Sequence, residues 1–171
     1  SNCSNNYGPR QYPEKLIPYA ILCCLKQKQI PVYGDGSQIR DWLHVDDHVI
    51  ALELVLRKGR VGETYLVGGC NEVTNIEVVH MICDHIDIYK SDKFHSHTKL
   101  ISYVKDRPGH DIRYAVDPSK LMNELGWKPF YNFKTGLKNT IEWYVSNLSW
   151  CEQIMSPKGK ILNENESRLF K

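Results

Sequence analysis

Apolar residues recur at helical spacing in three segments of the chain, which predicts amphipathic helices there. These segments are residues 14–28, 46–59 and 76–86. The second begins with carboxylates and ends with Lys58 and Gly59, and acidic first turns and a glycine at the end are typical helix boundaries. We therefore expect three helices, each with one buried face.

Two further helices are predicted nearer the end of the chain. Asp117 and Pro118 precede the first, over residues 119–125, as cap and first helical position, and Gly126 closes it. The other, over residues 133–147, carries the apolar residues Leu137, Ile141, Trp143, Tyr144 and Val145.

Strand-like residues occupy three other segments. In residues 31–45 they flank a glycine-containing turn at 34–36, which predicts a hairpin of two strands. Residues 63–69 read as a short strand that ends in two glycines, and residues 99–106 read as another strand. Because parallel strands need partners and cover on both faces, we expect the neighbours of 63–69 to lie outside this sequence, within a larger fold.

Composition and charge narrow the class of protein. The 171 residues are 42% hydrophobic and 25% charged, as in ordinary globular domains. The net charge of +2 is scattered, which argues against a nucleic-acid partner. No apolar run approaches the about 18 residues that suggest a membrane span, and the first residues lack a secretory layout. We expect a soluble, cytoplasmic protein without a membrane partner.

The six cysteines show no C-x-x-C pair, which predicts free, buried thiols rather than disulfides. His95 and His97 lie close together, yet no other ligand stands near them at metal-site spacing. A polar loop over residues 91–99 is the favoured interpretation, and no metal is predicted.

Glycine motifs give little support for a cofactor loop on this chain. The run Gly34-Asp35-Gly36 resembles the start of a dinucleotide-binding loop but lacks the third glycine and the following helix, so the hairpin is favoured. Gly68 and Gly69 would either bring the backbone close to a ligand or simply permit a turn. We find no G-x-G-x-x-G, no phosphate-binding P-loop and no Tyr-x-x-x-Lys in a plausible catalytic helix.

Several polar residues in loops or at strand ends are candidates for ligand recognition. An Arg fork suits phosphate and a Tyr ring suits a base, although each residue taken alone is better explained as solvated surface. The charged stretch 105–117 is interpreted as a local anion site. The candidates are Lys15, Tyr33, Arg40, Asn75, Arg107 and His110.

Four ordered motifs carry a resemblance to a known family. They are SNNYGPRQYPEKLIP (4–18), PVYGDGSQIRDWLHVDDH (31–48), GETYLVGGCNEVTN (62–75) and DRPGHDIRYAVD (106–117). Together they resemble the C-terminal half of the dTDP-glucose 4,6-dehydratases, which are nucleotide-sugar enzymes of the extended short-chain dehydrogenase/reductase family. The resemblance covers residues 1–150.

The resemblance implies an α/β fold, the C-terminal portion of an extended short-chain dehydrogenase with its NAD(P)-binding Rossmann-like architecture. Residues 1–155 would form the substrate-binding portion with the last strand or strands of the parallel sheet, and 156–171 a polar tail. The N-terminal NAD-binding half would be absent. Because the family's catalytic Tyr, Lys, Asp and Glu lie in that half, no catalytic residue is expected on this chain.

The resemblance also implies roles for individual residues. Asn5 would contact the sugar and Asn6 the nicotinamide end of NAD, while Lys15 and Leu16 would touch the substrate.

A nucleotide-diphosphate pocket would be formed by residues from several motifs. Residues 31–33 would shape the nucleobase site, Arg40 would meet the diphosphate, Asn75 would contact the nucleotide, and residues 106–110 would complete the wall. The implied set is Pro31, Val32, Tyr33, Arg40, Asn75, Asp106, Arg107, Pro108, Gly109 and His110.

The activity implied for the intact protein is that of a lyase, a hydro-lyase. NAD takes a hydride from C4 of dTDP-glucose, water leaves across C5 and C6, and the hydride returns to C6. The product, dTDP-4-keto-6-deoxy-glucose, serves deoxysugar synthesis of the dTDP-rhamnose type and polysaccharide synthesis. The intact enzyme would be a homodimer, and the isolated chain is expected to be inactive.

Two alternatives stay open. One is another NAD-dependent enzyme on a different nucleotide sugar, such as an epimerase, dehydratase or decarboxylase. The other is a non-catalytic fragment that binds a nucleotide sugar or assists assembly.

Overall fold

The computed structural model describes residues 1–90 and 96–156 and shows an α/β arrangement of short strands and six helices within these ranges. The strands are β1 (Asn2–Cys3), β2 (Asn5–Tyr7), β3 (Ile30–Tyr33), β4 (Ile39–His44), β5 (Leu66–Val67), β6 (Glu72–Thr74), β7 (Ile101–Val104) and β8 (Arg113–Tyr114). The helices are α1 (Leu16–Leu25), α2 (Val45–Lys58), α3 (Asn75–Lys90), α4 (Ser119–Leu125), α5 (Phe133–Ser146) and α6 (Leu148–Met155), with a 3₁₀ turn at His97–Leu100.

The strands form three small groups. β1 pairs in parallel with β5, and β3 pairs in parallel with β7. β4 is the centre of the third group: it is parallel to β2 and β8 and antiparallel to β6. Parallel pairing therefore dominates, as the predicted fold class requires.

The predicted hairpin over residues 31–45 is wrong, although its two strands and its turn exist. Gly34 and Gly36 adopt positive φ values of 59° and 77°. The flanking strands β3 and β4 join different groups instead of pairing with each other. The physical reason lies in the turn, because its carbonyl oxygens on Gly36 and Gln38 accept hydrogen bonds from Ile76 N and Asn75 N, each at 3.0 Å. These bonds hold the turn against the start of α3.

The expectation that strand 63–69 has no neighbour in the sequence is also wrong. Its observed part, β5, pairs with β1, and two flanking bonds extend the ladder: Asn2 N donates to Tyr65 O and Ser4 N to Val67 O, each at 3.0 Å. The sequence pattern missed β1 because a two-residue strand carries no periodicity.

The five predicted helices are confirmed with small shifts of their ends, while β1, β2, β6, β8 and α6 are elements that the sequence did not predict. Thr74 and Glu77 form a reciprocal capping box at the start of α3: Thr74 N donates to Glu77 Oε2 at 2.9 Å, and Glu77 N to Thr74 Oγ1 at 3.3 Å. Asp117 accepts a bond from Ser119 N at 2.9 Å before α4. Gly126 closes α4 in the left-handed conformation.

Two apolar cores support these elements. The larger lies where α1, α3 and α5 meet, and its buried residues include Ile17, Ile82 and Leu137. The smaller lies between α2 and α4, around Leu43 and Leu121. In the described part of the chain, no helix combines the length and apolar character needed to cross a membrane.

The cysteines are free, as predicted, but they are not all buried. Cys70 is exposed and Cys3 is half-buried, whereas the other four are buried. Cys24 and Cys83 lie in contact, with their sulfur atoms 3.9 Å apart.

The polar loop predicted at 91–99 is only partly described, because residues 91–95, with His95, lie outside the described ranges. His97 is buried and its ring is hydrogen-bonded to Asp87, so a surface loop is the wrong description for this residue. From residue 157 onward, the predicted polar tail lies outside the described residues.

Candidate functional site

Two loops leave the same end of the β3–β7 pair and lie side by side. The turn 34–38 follows Tyr33, and the loop 105–112 follows Val104. Gly34 N donates to Val104 O at 2.9 Å, which fixes the two loops to each other. Loops at the carboxyl ends of parallel strands are where open α/β sheets place ligands, so this end is the first place to look for a site.

Asp106 connects the two loops. Its Oδ1 accepts from Arg107 N at 2.8 Å and lies 2.8 Å from His110 Nδ1, while its Oδ2 accepts from Gln38 Nε2 at 2.9 Å. The hydrogen bond from His110, followed by the other donors, lowers the pKa of Asp106 below its usual value. The loop therefore holds an ionised carboxylate, and His110 Nδ1 is the donor in their contact.

Tyr33 and His110 form an aromatic edge beside this carboxylate. Their ring centroids are 6.4 Å apart at an interplanar angle of 85°. Tyr33 is half exposed, so one face of its ring is available to a flat ligand group. A nucleobase is such a group.

Arg40 is the buried cation of the region, with 7% of its surface exposed. Its Nη1 donates to Ile39 O at 2.7 Å and its Nη2 to Asp111 O at 2.9 Å. Both partners are neutral carbonyls, and among the described residues no carboxylate forms an ion pair with Arg40. Because a buried charge without a counter-ion is costly, the guanidinium favours binding of an anion.

Asn75 joins the same cluster at the first residue of α3, where its Nδ2 lies 3.5 Å from Gln38 Oε1. The structure thus links Asn75 and Asp106 through Gln38 of the turn, and Arg40 is bonded to Asp111 of the loop 105–112. That these residues form one ligand pocket stays a prediction. The side chains of Arg107 and Pro108 are exposed beside it, and Gly109 has a φ of 69°.

The remaining predicted residues are placed less directly. Pro31 is half-buried in β3, and Val32 is buried in the larger core, so a ligand could meet Val32 only through its main chain. Lys15 is exposed at the start of α1 and pairs with Glu14 at 3.1 Å, and Leu16 is half-buried. No hydrogen bond between described residues joins Lys15 to the Asp106 cluster.

Asn5 and Asn6 lie on β2, where they pair with Trp42 and Leu43 of β4. Asn6 Oδ1 lies 2.8 Å from His48 Nδ1, and its Nδ2 donates to Ser4 O at 3.1 Å. Asn6 also lines a cleft of about 580 Å³. Arg10 lies over the Trp143 ring at this cleft, 5.7 Å from the ring centroid.

Sequence reasoning missed Gln38, which contacts both Asp106 and Asn75. A signal was present: Gln38 stands only two residues before Arg40, directly before the start of β4. Both are buried.

The glycine pair of Gly68 and Gly69 serves the fold. A side chain on Gly69 would collide with the Trp42 carbonyl, and one on Gly68 would come within 2.7 Å of the Val116 carbonyl oxygen. These glycines therefore permit close packing within the protein. This agrees with the interpretation that they shape the chain, and not with a role in bringing the backbone close to a ligand.

Comparison with known proteins agrees with this arrangement. The family model described as GDP-mannose 4,6 dehydratase matches residues 1–140. The dTDP-glucose 4,6-dehydratase of Escherichia coli is 54% identical over 157 residues, which are 91% of this chain and 43% of the relative.

Two solved structures have the same fold over most of this chain. The dTDP-glucose 4,6-dehydratase of Bacillus anthracis, in complex with NAD, matches with a TM-score of 0.81 and 49% identity over 89% of this chain and 46% of its own. The enzyme of Streptomyces venezuelae, with NAD and TYD bound, matches with a TM-score of 0.82 and 41% identity over 89% of this chain and 45% of its own. The predicted fold class, part of an extended short-chain dehydrogenase fold, is thereby confirmed.

The chain spans less than half the length of these relatives. Its four sequence motifs and its α/β fold nevertheless agree with the same group of enzymes. The chain belongs to the family whose model is described as GDP-mannose 4,6 dehydratase, and its relatives in that family include the dTDP-glucose 4,6-dehydratases.

Proposed function

We propose that this chain is the substrate-binding part of a dTDP-glucose 4,6-dehydratase, and that it binds the nucleotide diphosphate of dTDP-glucose between the turn 34–38 and the loop 105–112. The observation that carries the proposal is the buried guanidinium of Arg40, which has carbonyl partners but no ion-pair partner in the described part of the chain. A diphosphate supplies the missing negative charge. Arg107 adds an exposed cation, and Tyr33 a ring for the base.

The complete polypeptide, in this proposal, is an NAD-dependent hydro-lyase that converts dTDP-glucose to dTDP-4-keto-6-deoxy-glucose. Residues 1–155 are its substrate-binding portion and 156–171 its tail, while the catalytic residues belong to an N-terminal half. This chain contributes binding and orientation rather than proton transfer. We place the enzyme in the cytoplasm as a homodimer, in deoxysugar synthesis of the dTDP-rhamnose type.

The cleft beside Asn6 offers a limited fit to the nicotinamide end of NAD. Gln11 lines it, and the buried Oε1 of Gln11 has no hydrogen-bond partner in the structure, so an amide donor on a ligand would satisfy it. Asn6 itself is engaged by Ser4 and His48. When bound, NAD supplies hydride chemistry; the chain's own groups would orient its carboxamide and exclude water.

A second candidate is an enzyme of the same family acting on another nucleotide sugar. The matching family model is described as GDP-mannose 4,6 dehydratase, so a GDP-sugar is the substrate that this second candidate would use. The residues proposed to face the base are Pro31, Val32 and Tyr33. None of their side chains can select one base by paired hydrogen bonds.

Calorimetric titration of the complete polypeptide with dTDP, UDP and GDP tests the proposal. We expect dTDP to bind. Thermal unfolding in its presence should show a higher melting temperature, since a ligand that binds only the folded state stabilises that state. Preference for UDP or GDP would replace the dTDP assignment, and no binding of any of the three would overturn the pocket. Turnover of dTDP-glucose by the purified 171-residue chain would contradict the assignment of catalysis to an N-terminal half.

A further inference from the structure

Gln38 joins three separate segments by hydrogen bonds. Its side chain is 7% exposed, although glutamine is mostly a surface residue. Its Nε2 donates to Asp106 Oδ2 at 2.9 Å, and its Oε1 lies 3.5 Å from Asn75 Nδ2. The turn, the loop after β7 and the start of α3 therefore meet at one buried amide.

The ionised carboxylate of Asp106 fixes the direction of this chain of bonds. A carboxylate only accepts hydrogen bonds, so the Nε2 end of Gln38 must face Asp106. Its Oε1 end then faces Asn75, and Asn75 must donate from Nδ2. The Oδ1 atom of Asn75 is left out of this contact, and no hydrogen bond between described residues involves it, so it can accept a hydrogen bond from a ligand.

The main chain of Gln38 also connects the turn to the start of α3. Its carbonyl oxygen accepts from Asn75 N at 3.0 Å, while the Gly36 carbonyl accepts from Ile76 N at the same distance. These bonds hold the first residues of α3 against the turn. Gln38 also stands two residues before Arg40, directly before the start of β4.

We propose that Gln38 is a positioning residue of the nucleotide-diphosphate pocket, which holds Asp106 and its loop in register with Asn75 and Arg40. The inference rests on the proposed function, because it assigns Gln38 to the same pocket. The Asp106 loop carries Arg107 and His110, so a shift of that carboxylate would displace both groups from the ligand.

The decisive variant is Gln38→Glu in the complete polypeptide, titrated with dTDP. It places a second carboxylate next to Asp106, and two like charges at that distance force one of them to take up a proton or to move away. We expect dTDP to bind roughly tenfold more weakly at about pH 8, with much of the loss recovered at about pH 6. Gln38→Met, which keeps the length but no hydrogen bond, should weaken binding at both pH values.

Gln29→Glu is the matched control, because it makes the same change at an exposed glutamine outside this cluster. It should leave the affinity for dTDP unchanged at both pH values. Equal affinity of the wild type and both Gln38 variants would overturn the inference. Should Gln38→Glu fail to melt cooperatively, Gln38→Met provides the comparison.

A ligand-free measurement separates this inference from the proposed function. The His110 ring signals in NMR spectra report the contact with Asp106 directly. Displaced signals in Gln38→Met support the positioning role even if the wild type binds no dTDP, in which case the proposed function fails alone. Unchanged signals in that variant would count against the positioning role whatever dTDP does.

Discussion

His110 donates from Nδ1 to Oδ1 of Asp106, four residues earlier in the same loop, over 2.8 Å. This bond is the main reason that the pKa of Asp106 is lowered. A carboxyl group with a depressed pKa in the folded state stabilises the fold at any pH above its unfolded pKa, and this stabilisation is lost as the pH falls through the folded value. We therefore expect the pair to contribute to the stability of the loop 105–112 at neutral pH and to lose this contribution in acid.

We predict that His110→Ala moves the titration midpoint of the Asp106 carboxyl upward, toward the about 3.9 of an unperturbed aspartate. Carbon NMR of the side-chain carboxyl across the acid range measures it. His80→Ala is the control, since His80 is exposed on α3 and outside the loop. An unmoved midpoint in His110→Ala would mean that the hydrogen bond does not cause the shift.

Arg40 and Arg107 should respond differently to substitution by Ala. Both changes should weaken binding of dTDP by about 1.5 to 3 kcal/mol, because each removes a charge-assisted bond to the diphosphate. The buried Arg40 side chain also bonds to the carbonyl groups of Ile39 and Asp111, so its loss should lower the melting temperature. Arg107 is exposed, and its loss should leave the melting temperature unchanged.

Calorimetric titration and thermal unfolding of the two variants, side by side with Arg57→Ala, check this prediction. Arg57 is an exposed arginine on α2 paired with Glu53, so its replacement should change neither quantity appreciably. Unchanged affinity in both pocket variants would remove the diphosphate assignment.

The sequence predicted the helices well because their signals are local. The capping box of Thr74 and Glu77 and the closing Gly126 act within one turn of helix, so each can be read from adjacent residues. The partners of the strands could not be predicted in this way. Arg40 and Val73, which pair in the β4–β6 ladder, are 33 residues apart in the sequence, so their pairing is decided by tertiary packing.

The candidate site was likewise predicted only in part. Loop position and residue type were enough to select Arg40, Asn75 and His110 as ligand-binding candidates, while Asp106 was implied only by the family resemblance. They were not enough to show that Gln38 lies between Asp106 and Asn75, because those contacts join segments far apart in the sequence.

The outer surface of α2 predicts self-association of the 171-residue chain when it is produced alone. Val49, Ile50, Leu52 and Leu56 are 57%, 54%, 40% and 87% exposed on this one helix. Contiguous apolar surface of this kind favours association in water. We expect light scattering to show species that grow with concentration, and the double variant Ile50→Lys/Leu56→Lys to reduce them. Asn139→Lys, on α5, adds charge elsewhere and should not. A monodisperse, cooperatively melting monomer would contradict the prediction.

Tyr7 and Gly136 pack against each other in the larger core. The Tyr7 hydroxyl is buried without a hydrogen-bond partner in the structure, and burial, with a smaller contribution from Asp47, raises its pKa. A methyl group on Gly136 would collide with that hydroxyl. The glycine is therefore needed because the tyrosine is present.

We predict that Gly136→Ala lowers the free energy of unfolding of the complete polypeptide by about 1–3 kcal/mol through overpacking, less the about 1 kcal/mol that alanine gains in a helix. Tyr7→Phe alone should cost little, because the hydroxyl it removes has no partner to lose. In the double variant the collision with the hydroxyl is removed and the tight contact with the ring carbon Cζ, at 3.0 Å, remains, so the loss caused by Gly136→Ala should become smaller. Urea unfolding of the four proteins in a double-mutant cycle measures this coupling, and strictly additive losses would show that the two residues do not clash.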